Sequence, residues 1–486
     1  MTPKTLVALS LAAMALSSCG GRVRGGQQCL SSLETSTKAT TVQTASGPVA
    51  GYIDDGVFIY KGIPYAKAER FMPPQDVEPW KEVRSSRAYG PTCPQDKRTG
   101  WYSDAQAFAM HWDDGFPDED CLRVNVWTSG IADGGKRPVM VWLHGGGFRA
   151  GSGQELISYD GTNLARDHGV VVVTLNHRLN VLGFLDLSAY GAKYVRSGNV
   201  GMLDIVKALE WVRDNIASFG GDPSNVTIFG QSGGGGKVST LMAMPAAKGL
   251  FGRAIVQSGS ITSLLEPKYS RRIGAYTVET LGVKPSNIDA LATVPYEQLL
   301  AAYNGAIQKV KDEASADGKL PENFLDMILF GQVPVVDGEV IPFQPSTPEA
   351  LAISKDVPVI IGTVYNEFTP DREDPIFRPL ALRQAQDRVQ AGCAPVYLYR
   401  FDWASPVLDG AFGSTHCLEI PFVFDNVLLH RTFTGGGEDA IQLGHRMSRV
   451  WTSFARNGVP AAEGLPEWGV YPAQMNFNIQ SEITNN

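Results

Sequence analysis

The segment VTIFGQSGGGG, residues 226–236, constrains the fold more than any other part of the chain. A short apolar run leads into the tight turn GQSGG, residues 230–234, and towards a helix. Such a turn forces the serine backbone into a strained conformation, so bulky neighbours would clash and glycines are needed. The pattern therefore predicts that Ser232 is raised as a nucleophile at the carboxyl end of a buried strand. The same turn directs the backbone N–H of Gly233 at the position of a developing oxyanion.

The runs on either side of this turn are apolar throughout, which is typical of strands buried on both faces of a sheet. Segments with a helical period separate them, such as residues 203–219, which stop at two glycines, and residues 438–458. Strands that alternate with helices predict an α/β fold with a mainly parallel sheet. The predicted strands are VNVWT (124–128), VMVWL (139–143), VVVVTL (170–175), VTIF (226–229), RAIVQ (253–257), VPVIIGT (357–363) and PVYLYRF (395–401).

A second glycine-rich turn follows the strand VMVWL, in the segment LHGGGFRAG, residues 143–151. Glycines allow a backbone to approach a substrate carbonyl with no Cβ in the way, so this loop is a candidate donor of further oxyanion N–H groups. A loop that cradles phosphate is the alternative interpretation. The chain has no G-x-x-x-x-G-K-[ST] motif, and this favours the oxyanion interpretation.

A serine nucleophile needs a general base, and at strand-to-helix turns of this type the chain order is nucleophile, acid, histidine. Of the seven histidines, only His416, His430 and His445 follow Ser232. The latter two lie in an apolar run and a helical repeat, which suits structural roles, so the order singles out His416. Glu367 follows a buried strand and is the candidate acid. The alternative acids nearby are Asp371, Glu373 and Asp374.

The composition excludes several functional classes. The formal net charge of −8 argues against a nucleic-acid partner, because phosphate binding needs a concentrated basic surface. No Cys-x-x-Cys pair or His/Cys cluster with zinc spacing occurs, so we expect no metal and no cofactor. The expected partner is a small molecule.

The N-terminus has the features of a targeting segment. Residues 1–18 combine a positive charge with an apolar stretch of signal-peptide length, and Cys19 follows directly. This arrangement resembles a bacterial lipoprotein signal, so we expect acylation of Cys19 and anchoring of an exported protein to a membrane. A plain signal peptide and a secreted protein are the alternative. Residues 19–40 read as a flexible tether before a single domain at 41–486.

Ten ordered blocks of the chain resemble the carboxylesterase type B family, which includes acetylcholinesterase and bacterial carboxylesterases. The resemblance implies an α/β-hydrolase fold, with a mostly parallel central sheet covered by helices, and a serine esterase that works through an acyl-enzyme. The blocks are GIPYA (62–66), RFMPP (70–74), EDCLRVNVWT (119–128), LHGGGF (143–148), NHRLNVLGF (176–184), GNVGMLDIVKALEWV (198–212), FGGDPSNVTIFGQSGGG (219–235), VQSGS (256–260), GTVYNEFT (362–369) and HCLEIPFVFDN (416–426).

The family's functional residues map onto positions of this chain. The resemblance implies Ser232 as nucleophile, Glu367 as acid and His416 as base. It implies backbone N–H donors to the oxyanion at Gly146, Gly147 and Gly233. It also implies a supporting serine at Ser258, a disulfide between Cys93 and Cys121, and a structural ion pair between Arg70 and Glu119. A bridge between Cys393 and Cys417 is a further guess from the loops in which they lie.

Three departures from the family pattern bear on function. Gln231 stands where cholinesterases carry glutamate, so any preference for cationic substrates should be weaker. Gly233 replaces the commoner alanine but keeps its N–H. Only about two dozen residues separate Glu367 from the strand at 395–401, where the family has a long helical segment, so we expect a shortened cap. A catalytically impaired or non-enzymatic, cholinesterase-like binding protein is therefore the alternative function.

Overall fold

A computed structural model describes residues 32–96, 103–113, 115–318, 330–370 and 372–486. The predicted signal peptide over residues 1–18, the acylation site Cys19 and most of the predicted tether lie outside these ranges.

The strands in the described residues follow the predicted runs closely. They are β1 Thr41–Gln43, β2 Pro48–Ala50, β3 Tyr52–Asp54, β4 Val57–Pro64, β5 Arg84–Ser85, β6 Arg123–Thr128, β7 Arg137–Leu143, β8 Val171–Leu175, β9 Gly221–Gln231, β10 Arg253–Gln257, β11 Val359–Val364, β12 Val396–Phe401, β13 Ala473–Phe477 and β14 Glu482–Asn485.

Apart from an irregular turn at Val407–Gly410 and several short 3-10 segments, the helices of the described residues alternate with these strands as the sequence predicts. They are α1 Thr37–Thr40, α2 Asp104–Met110, α3 Thr162–His168, α4 Asn180–Phe184, α5 Val200–Asn215, α6 Gly233–Leu241, α7 Pro267–Thr280, α8 Tyr296–Ala316, α9 Pro348–Ile353, α10 Phe377–Gln390, α11 Ile420–Val423, α12 Arg431–Thr434 and α13 Glu438–Asn457.

Within the described ranges, one sheet of eleven strands forms the centre of the molecule, in the order β14-β13-β12-β11-β10-β9-β7-β8-β6-β4-β3. The pairings from β8 through β7, β9, β10, β11 and β12 to β13 are all parallel, and antiparallel strands lie at both edges. The prediction of a mostly parallel α/β-hydrolase sheet is confirmed. No described helix is both long enough and apolar enough to span a membrane.

Both faces of the central strands are buried, which explains why their sequences are apolar without alternation. In β7, Val139, Val141 and Leu143 pack into the larger hydrophobic core on one side of the sheet. Met140 and Trp142 point into a second core on the other side. The rings of Phe229 and Phe424 contact Trp142 with centroids 4.9 and 5.1 Å away. The sheet is therefore a rigid support for the loops at its edge.

The ordered domain begins earlier than the composition indicates. The backbone of Glu34 pairs with that of Ile53, and α1 falls inside the segment 19–40 that was predicted to be a tether. Thr40 is fully buried, and its hydroxyl donates to the carbonyl of Gly51 at 3.0 Å. A Ser/Thr-rich composition alone does not show that such a hydroxyl finds a buried acceptor.

The cysteines are free thiols in the described part of the chain. Cys93 and Cys121 are both buried and lie in contact, with a hydrogen bond between their thiols, but no covalent bond joins them. The guess that Cys393 and Cys417 pair is wrong in this structure, because the first thiol faces the carbonyl of Leu351 and the second donates to Gln231. The implied ion pair between Arg70 and Glu119 is formed, with Nε 2.7 Å from Oε2.

Candidate active site

Ser232 lies at the sharp turn between β9 and α6, as the sequence predicts. Its φ is 57° and its ψ is −124°, a conformation that costs an L-residue about 1–3 kcal/mol. The surrounding packing holds it there: its N–H donates to the carbonyl of Gln257 on the neighbouring strand at 2.8 Å. Ser232 is partly exposed while its neighbours are buried. The turn thus presents an accessible hydroxyl on a rigid support.

The glycines of the turn are required by close backbone packing. A Cβ at Gly230 would lie 2.6 Å from the carbonyl oxygen of Leu143, and a Cβ at Gly234 would lie 1.9 Å from the same atom. Both distances are far below contact. The two glycines of the G-x-S-x-G pattern are therefore needed because the nucleophile turn packs directly against the end of β7.

His416 and Glu367 are brought together from the loops that follow β12 and β11. His416 Nδ1 bonds to Glu367 Oε2, and the His416 N–H donates to the Glu367 carbonyl at 3.1 Å. Both side chains are buried, and the N–H of Val364 donates to Glu367 Oε1 at 3.2 Å. A carboxylate on Nδ1 selects the tautomer in which Nε2 is unprotonated and can accept a proton.

The alternative acids have other partners. The carboxylate of Asp374 accepts from the N–H groups of Phe377 and Arg378 at 2.6 and 2.7 Å, so it caps the start of α10. Glu373 pairs with the guanidinium of Arg400 at 2.8 Å. Asp371 lies outside the described residues. Of the alternatives that are described, none contacts the imidazole, and Glu367 does.

Among the described residues, no hydrogen bond joins the Ser232 hydroxyl to the His416 imidazole. The amide Nε2 of Gln231 lies 3.4 Å from His416 Nδ1 and 3.3 Å from His416 Nε2. These nearly equal distances place the amide against the ring face rather than in line with either nitrogen. Gln231 Oε1 accepts from the Cys417 thiol at 3.2 Å. The imidazole is therefore held beside the nucleophile turn by the residue that precedes the serine.

Aromatic side chains also flank the imidazole. The ring centroid of Phe368 lies 4.3 Å from that of His416, and Phe377 lies 5.2 Å away at the start of α10. Phe368 is 58% exposed. The short segment after Glu367 thus puts α10 close to the imidazole and leaves an aromatic surface open to solvent beside it.

The glycine loop after β7 meets the nucleophile turn at the expected place. Gly146 and Gly147 have φ values of 78° and 66°, which only glycine adopts readily. A Cβ at Gly233 would lie 2.4 Å from the backbone nitrogen of Gly147, so these two residues are in very close contact. In the described chain, the N–H groups of Gly146, Gly147 and Gly233 donate to no protein acceptor. Three backbone donors without a protein acceptor therefore lie in the two turns that meet beside Ser232.

Ser258 lies at the carboxyl end of β10, next to β9. It is fully buried with a φ of 45°, and its N–H donates to the carbonyl of Gly362 at 2.8 Å. Its hydroxyl has no partner among the described residues. The resemblance implies a serine near the histidine and the acid, and the Ser258 hydroxyl makes no hydrogen bond to either side chain among the described residues.

Sequence reasoning missed the buried carboxyl of Glu419. Burial and the nearby Glu367 raise its pKa to about 7. Glu419 Oε1 accepts from Gln257 Nε2 at 3.2 Å, and Gln257 Oε1 in turn accepts from Trp451 at 3.1 Å. A glutamate three residues after His416, in the run HCLEIPFVF, was the available signal.

Sequence reasoning also missed the fully buried lysine Lys237, five residues after Ser232. Its position in a glycine-rich helix start gave no indication of burial. Among the described residues, no cluster of three or more His, Cys, Asp or Glu side chains could hold a metal ion.

The chain is similar to known esterases over most of its length. A model of the Carboxylesterase family matches residues 38–374 and 372–486, and the two matches meet in the shortened region after Glu367. The chain is 36% identical to para-nitrobenzyl esterase of Bacillus subtilis (strain 168), over 91% of this chain and 95% of that protein. It is 32% identical to phenmedipham hydrolase of Pseudarthrobacter oxydans, over 88% and 92% of the two chains.

Solved structures agree with the sequence relatives. An esterase from Clostridium hathewayi, described as able to hydrolyse aliphatic aromatic polyesters, superimposes with a TM-score of 0.81 at 34% identity, covering 92% of this chain and 95% of that one. A structure of PNB esterase gives a TM-score of 0.77 at 34% identity, with 92% and 97% covered.

Proposed function

The chain belongs to the carboxylesterase family, and we propose that Ser232, His416 and Glu367 are the residues with which it hydrolyses carboxylic esters. The single observation that carries this assignment is the buried contact between His416 Nδ1 and Glu367 Oε2 beside the strained nucleophile turn.

In the first half of the reaction, His416 Nε2 takes the proton of Ser232 as Oγ attacks the ester carbonyl. Glu367 holds the ring and stabilises the imidazolium that forms. The imidazolium then protonates the departing alcohol, and the acyl group stays on Ser232. Water repeats the same steps to release the acid. A bound substrate must first close the gap between Oγ and Nε2, and such contacts commonly tighten only in the substrate complex.

The tetrahedral intermediate carries a negative charge on the former carbonyl oxygen. The N–H groups of Gly146, Gly147 and Gly233 are free to receive it. A single donor of this kind contributes about 10²–10³ in rate, because it is fixed before the charge develops. No proton or cofactor has to be supplied for this stabilisation.

We propose neutral esters with an aromatic group as the preferred substrate class. Gln231 carries no charge beside the nucleophile, so nothing at that position attracts a cationic ester. Phe368 offers an exposed ring next to the imidazole. The names of the relatives, para-nitrobenzyl esterase and phenmedipham hydrolase, and the polyester activity of the Clostridium hathewayi esterase are consistent with this class.

Hydrolysis of p-nitrophenyl acetate and butyrate tests the nucleophile directly. We expect Ser232→Ala to lose activity by at least about 10³-fold, whereas Ser224→Ala, which alters an exposed serine, should keep it. An active-site phosphonate should label the parent protein and Ser224→Ala but not Ser232→Ala. Failure of the parent protein to react would support the alternative of a non-enzymatic, cholinesterase-like binding protein. Retained hydrolysis in Ser232→Ala would overturn the assignment.

We also propose that the protein is exported and acylated on Cys19 after removal of residues 1–18. The proposal rests on the positive charge, the apolar stretch and the position of the cysteine in the sequence. Expression in a bacterial host with radiolabelled palmitate should label the parent protein in the membrane fraction. Cys19→Ala should be unlabelled and released from the membrane. Equal labelling of both proteins would contradict acylation at this residue.

A further inference from the structure

The helix that follows the nucleophile carries a buried lysine that touches the oxyanion loop. Lys237 lies in α6 with no exposed surface. Its ammonium group donates to the carbonyl of His144 at 2.8 Å and approaches the carbonyl of Gly145 at 3.5 Å. Both carbonyls belong to the glycine loop that follows β7. The ammonium group therefore connects the nucleophile helix to the loop that holds the oxyanion donors.

A contact that holds a carbonyl also sets the direction of the N–H in the same peptide unit. The carbonyl of Gly145 and the N–H of Gly146 belong to one trans peptide plane, so they point in opposite directions. A donor that holds the carbonyl from behind also fixes the direction of the N–H in front. The shorter contact, to the carbonyl of His144, fixes the peptide whose N–H is that of Gly145, the residue immediately before the first proposed donor. A positive charge near these carbonyls also polarises the peptides and strengthens their N–H groups as donors.

We propose that Lys237 is a positioning residue for the oxyanion hole, which orients and polarises the backbone of the glycine loop through the carbonyls of His144 and Gly145. The proposal rests on the esterase function proposed above. Lys237 itself does not touch the substrate, because it contacts the carbonyl side of the loop.

The surroundings of Lys237 are consistent with a role beyond packing. Burying an ammonium group without a direct carboxylate partner is costly. Burial lowers the pKa of Lys237 to about 7, and the carboxylate of Glu155 works against that decrease. The other titratable groups that face it are His144 and His177, whose pKa values are lowered by burial and by the lysine charge. Their neutral imidazoles stack with centroids 5.2 Å apart, so they add no charge that competes with the ammonium.

Two substitutions separate the charge of Lys237 from its hydrogen bonds. Lys237→Met keeps much of the volume but removes both donors and charge, and Lys237→Gln keeps a neutral donor. Thr240→Val is the matched control, because Thr240 is fully buried in the same helix and its hydroxyl donates only within the helix, to the carbonyl of Gly236 at 2.8 Å. All three variants alter one buried polar group in α6.

We expect Lys237→Met to lower kcat for p-nitrophenyl butyrate by about 10- to 100-fold while KM changes less than about threefold, because only the charged intermediate uses the N–H groups fully. Binding of a trifluoromethyl ketone, which forms the tetrahedral adduct, should weaken by a similar factor. Lys237→Gln should fall between Lys237→Met and the parent protein, and Thr240→Val should keep kcat within twofold.

The pH profile provides a readout that packing alone would not change. With the lysine charge lost above about pH 7, kcat of the parent protein should decline on the alkaline side, and this decline should be absent in Lys237→Met and Lys237→Gln. A kcat within twofold of the parent, with the alkaline side unchanged, in either variant would overturn the proposal. A loss of kcat in Thr240→Val equal to that in Lys237→Met would overturn it as well.

Failure of this proposal is distinguishable from failure of the proposed function. If Ser232→Ala is inactive and the Lys237 variants behave like the parent protein, only the role of Lys237 is rejected. If Ser232→Ala retains activity, the nucleophile assignment itself is wrong, whatever the Lys237 variants do.

Discussion

Substitution of Glu419 by glutamine should make the stability of the protein much less dependent on pH. Glu419 is fully buried, and burial raises its pKa from the ordinary 4.5 to about 7. Each pH unit between the two values corresponds to about 1.4 kcal/mol, so the ionised carboxyl costs the folded state about 3 kcal/mol. Glutamine keeps an acceptor for the amide of Gln257 and never ionises.

The sign of the effect follows from which state holds the proton. Below pH 4.5, the carboxyl is neutral in the folded and the unfolded chain, and it adds no electrostatic cost. Between pH 4.5 and about 7, the unfolded chain ionises while the folded one stays protonated, so the free energy of unfolding falls as pH rises. Above about pH 7, both are ionised and the full cost is present. The Glu419→Gln variant should therefore gain stability relative to the parent over this interval and keep the gain above it.

Urea unfolding followed by tryptophan fluorescence, at pH values from 4.5 to 8.5, measures this directly. We expect the difference in free energy of unfolding between Glu419→Gln and the parent to grow by about 3 kcal/mol from pH 4.5 to pH 8. Glu463→Gln, at an exposed carboxyl, is the control and should show no such growth. A difference that stays constant within 1 kcal/mol over the whole pH range would refute the reasoning.

Three further predictions follow from individual contacts. Glu367→Gln should lower kcat by about 10²–10⁴-fold with little change in thermal stability, measured with nitrophenyl esters and calorimetry, because the imidazole loses the carboxylate that fixes its tautomer. Gly234→Ala should lower kcat at least about tenfold in the same assay, because its Cβ would lie 1.9 Å from the carbonyl oxygen of Leu143 and push the start of the glycine loop away. Intact-protein mass spectrometry of exported protein should find Cys93 and Cys121 joined, and reduction should lower stability by about 3–4 kcal/mol, since the bridge would close a loop of 28 residues.

If the activity of Glu367→Gln stays within tenfold of that of the parent protein, another carboxylate must be the acid that supports His416. Unchanged kcat in Gly234→Ala would mean that the backbone after β7 moves freely enough to accept a methyl group. Recovery of two free thiols from exported protein would show that the thiol pair found in this structure is its final state.

The sequence predicted the central sheet because strands that are buried on both faces are apolar at every position. Runs such as VMVWL are apolar at every position, and β7 packs into both cores. The glycines of the nucleophile turn were equally readable, because a side chain at Gly230 or Gly234 would collide with the carbonyl of Leu143. Where steric clashes exclude every residue except glycine, the glycine by itself indicates the local backbone conformation.

The sequence could not predict contacts that depend on how distant segments meet. Nothing near Glu419 or Lys237 in the chain indicates that their charges are fully buried. The position of the Gln231 amide against His416 depends on a loop almost two hundred residues away. Such groups have ordinary residue types at ordinary spacings, and only the packing of the folded chain gives them shifted pKa values or unusual partners.

The glycine run continues into α6 because the start of this helix packs against the loop that follows β7. A Cβ at Gly234 would lie 1.9 Å from the carbonyl oxygen of Leu143, so glycine is needed where the start of the helix meets the end of β7. Lys237 then binds the loop after β7 from the next turn of the helix. The serine and the oxyanion donors are thereby tied to one helix. Because a tenfold rate difference requires only about 1.4 kcal/mol, small movements between nucleophile and donors would be costly. A loop fixed to the nucleophile helix at several points keeps that spacing throughout the reaction.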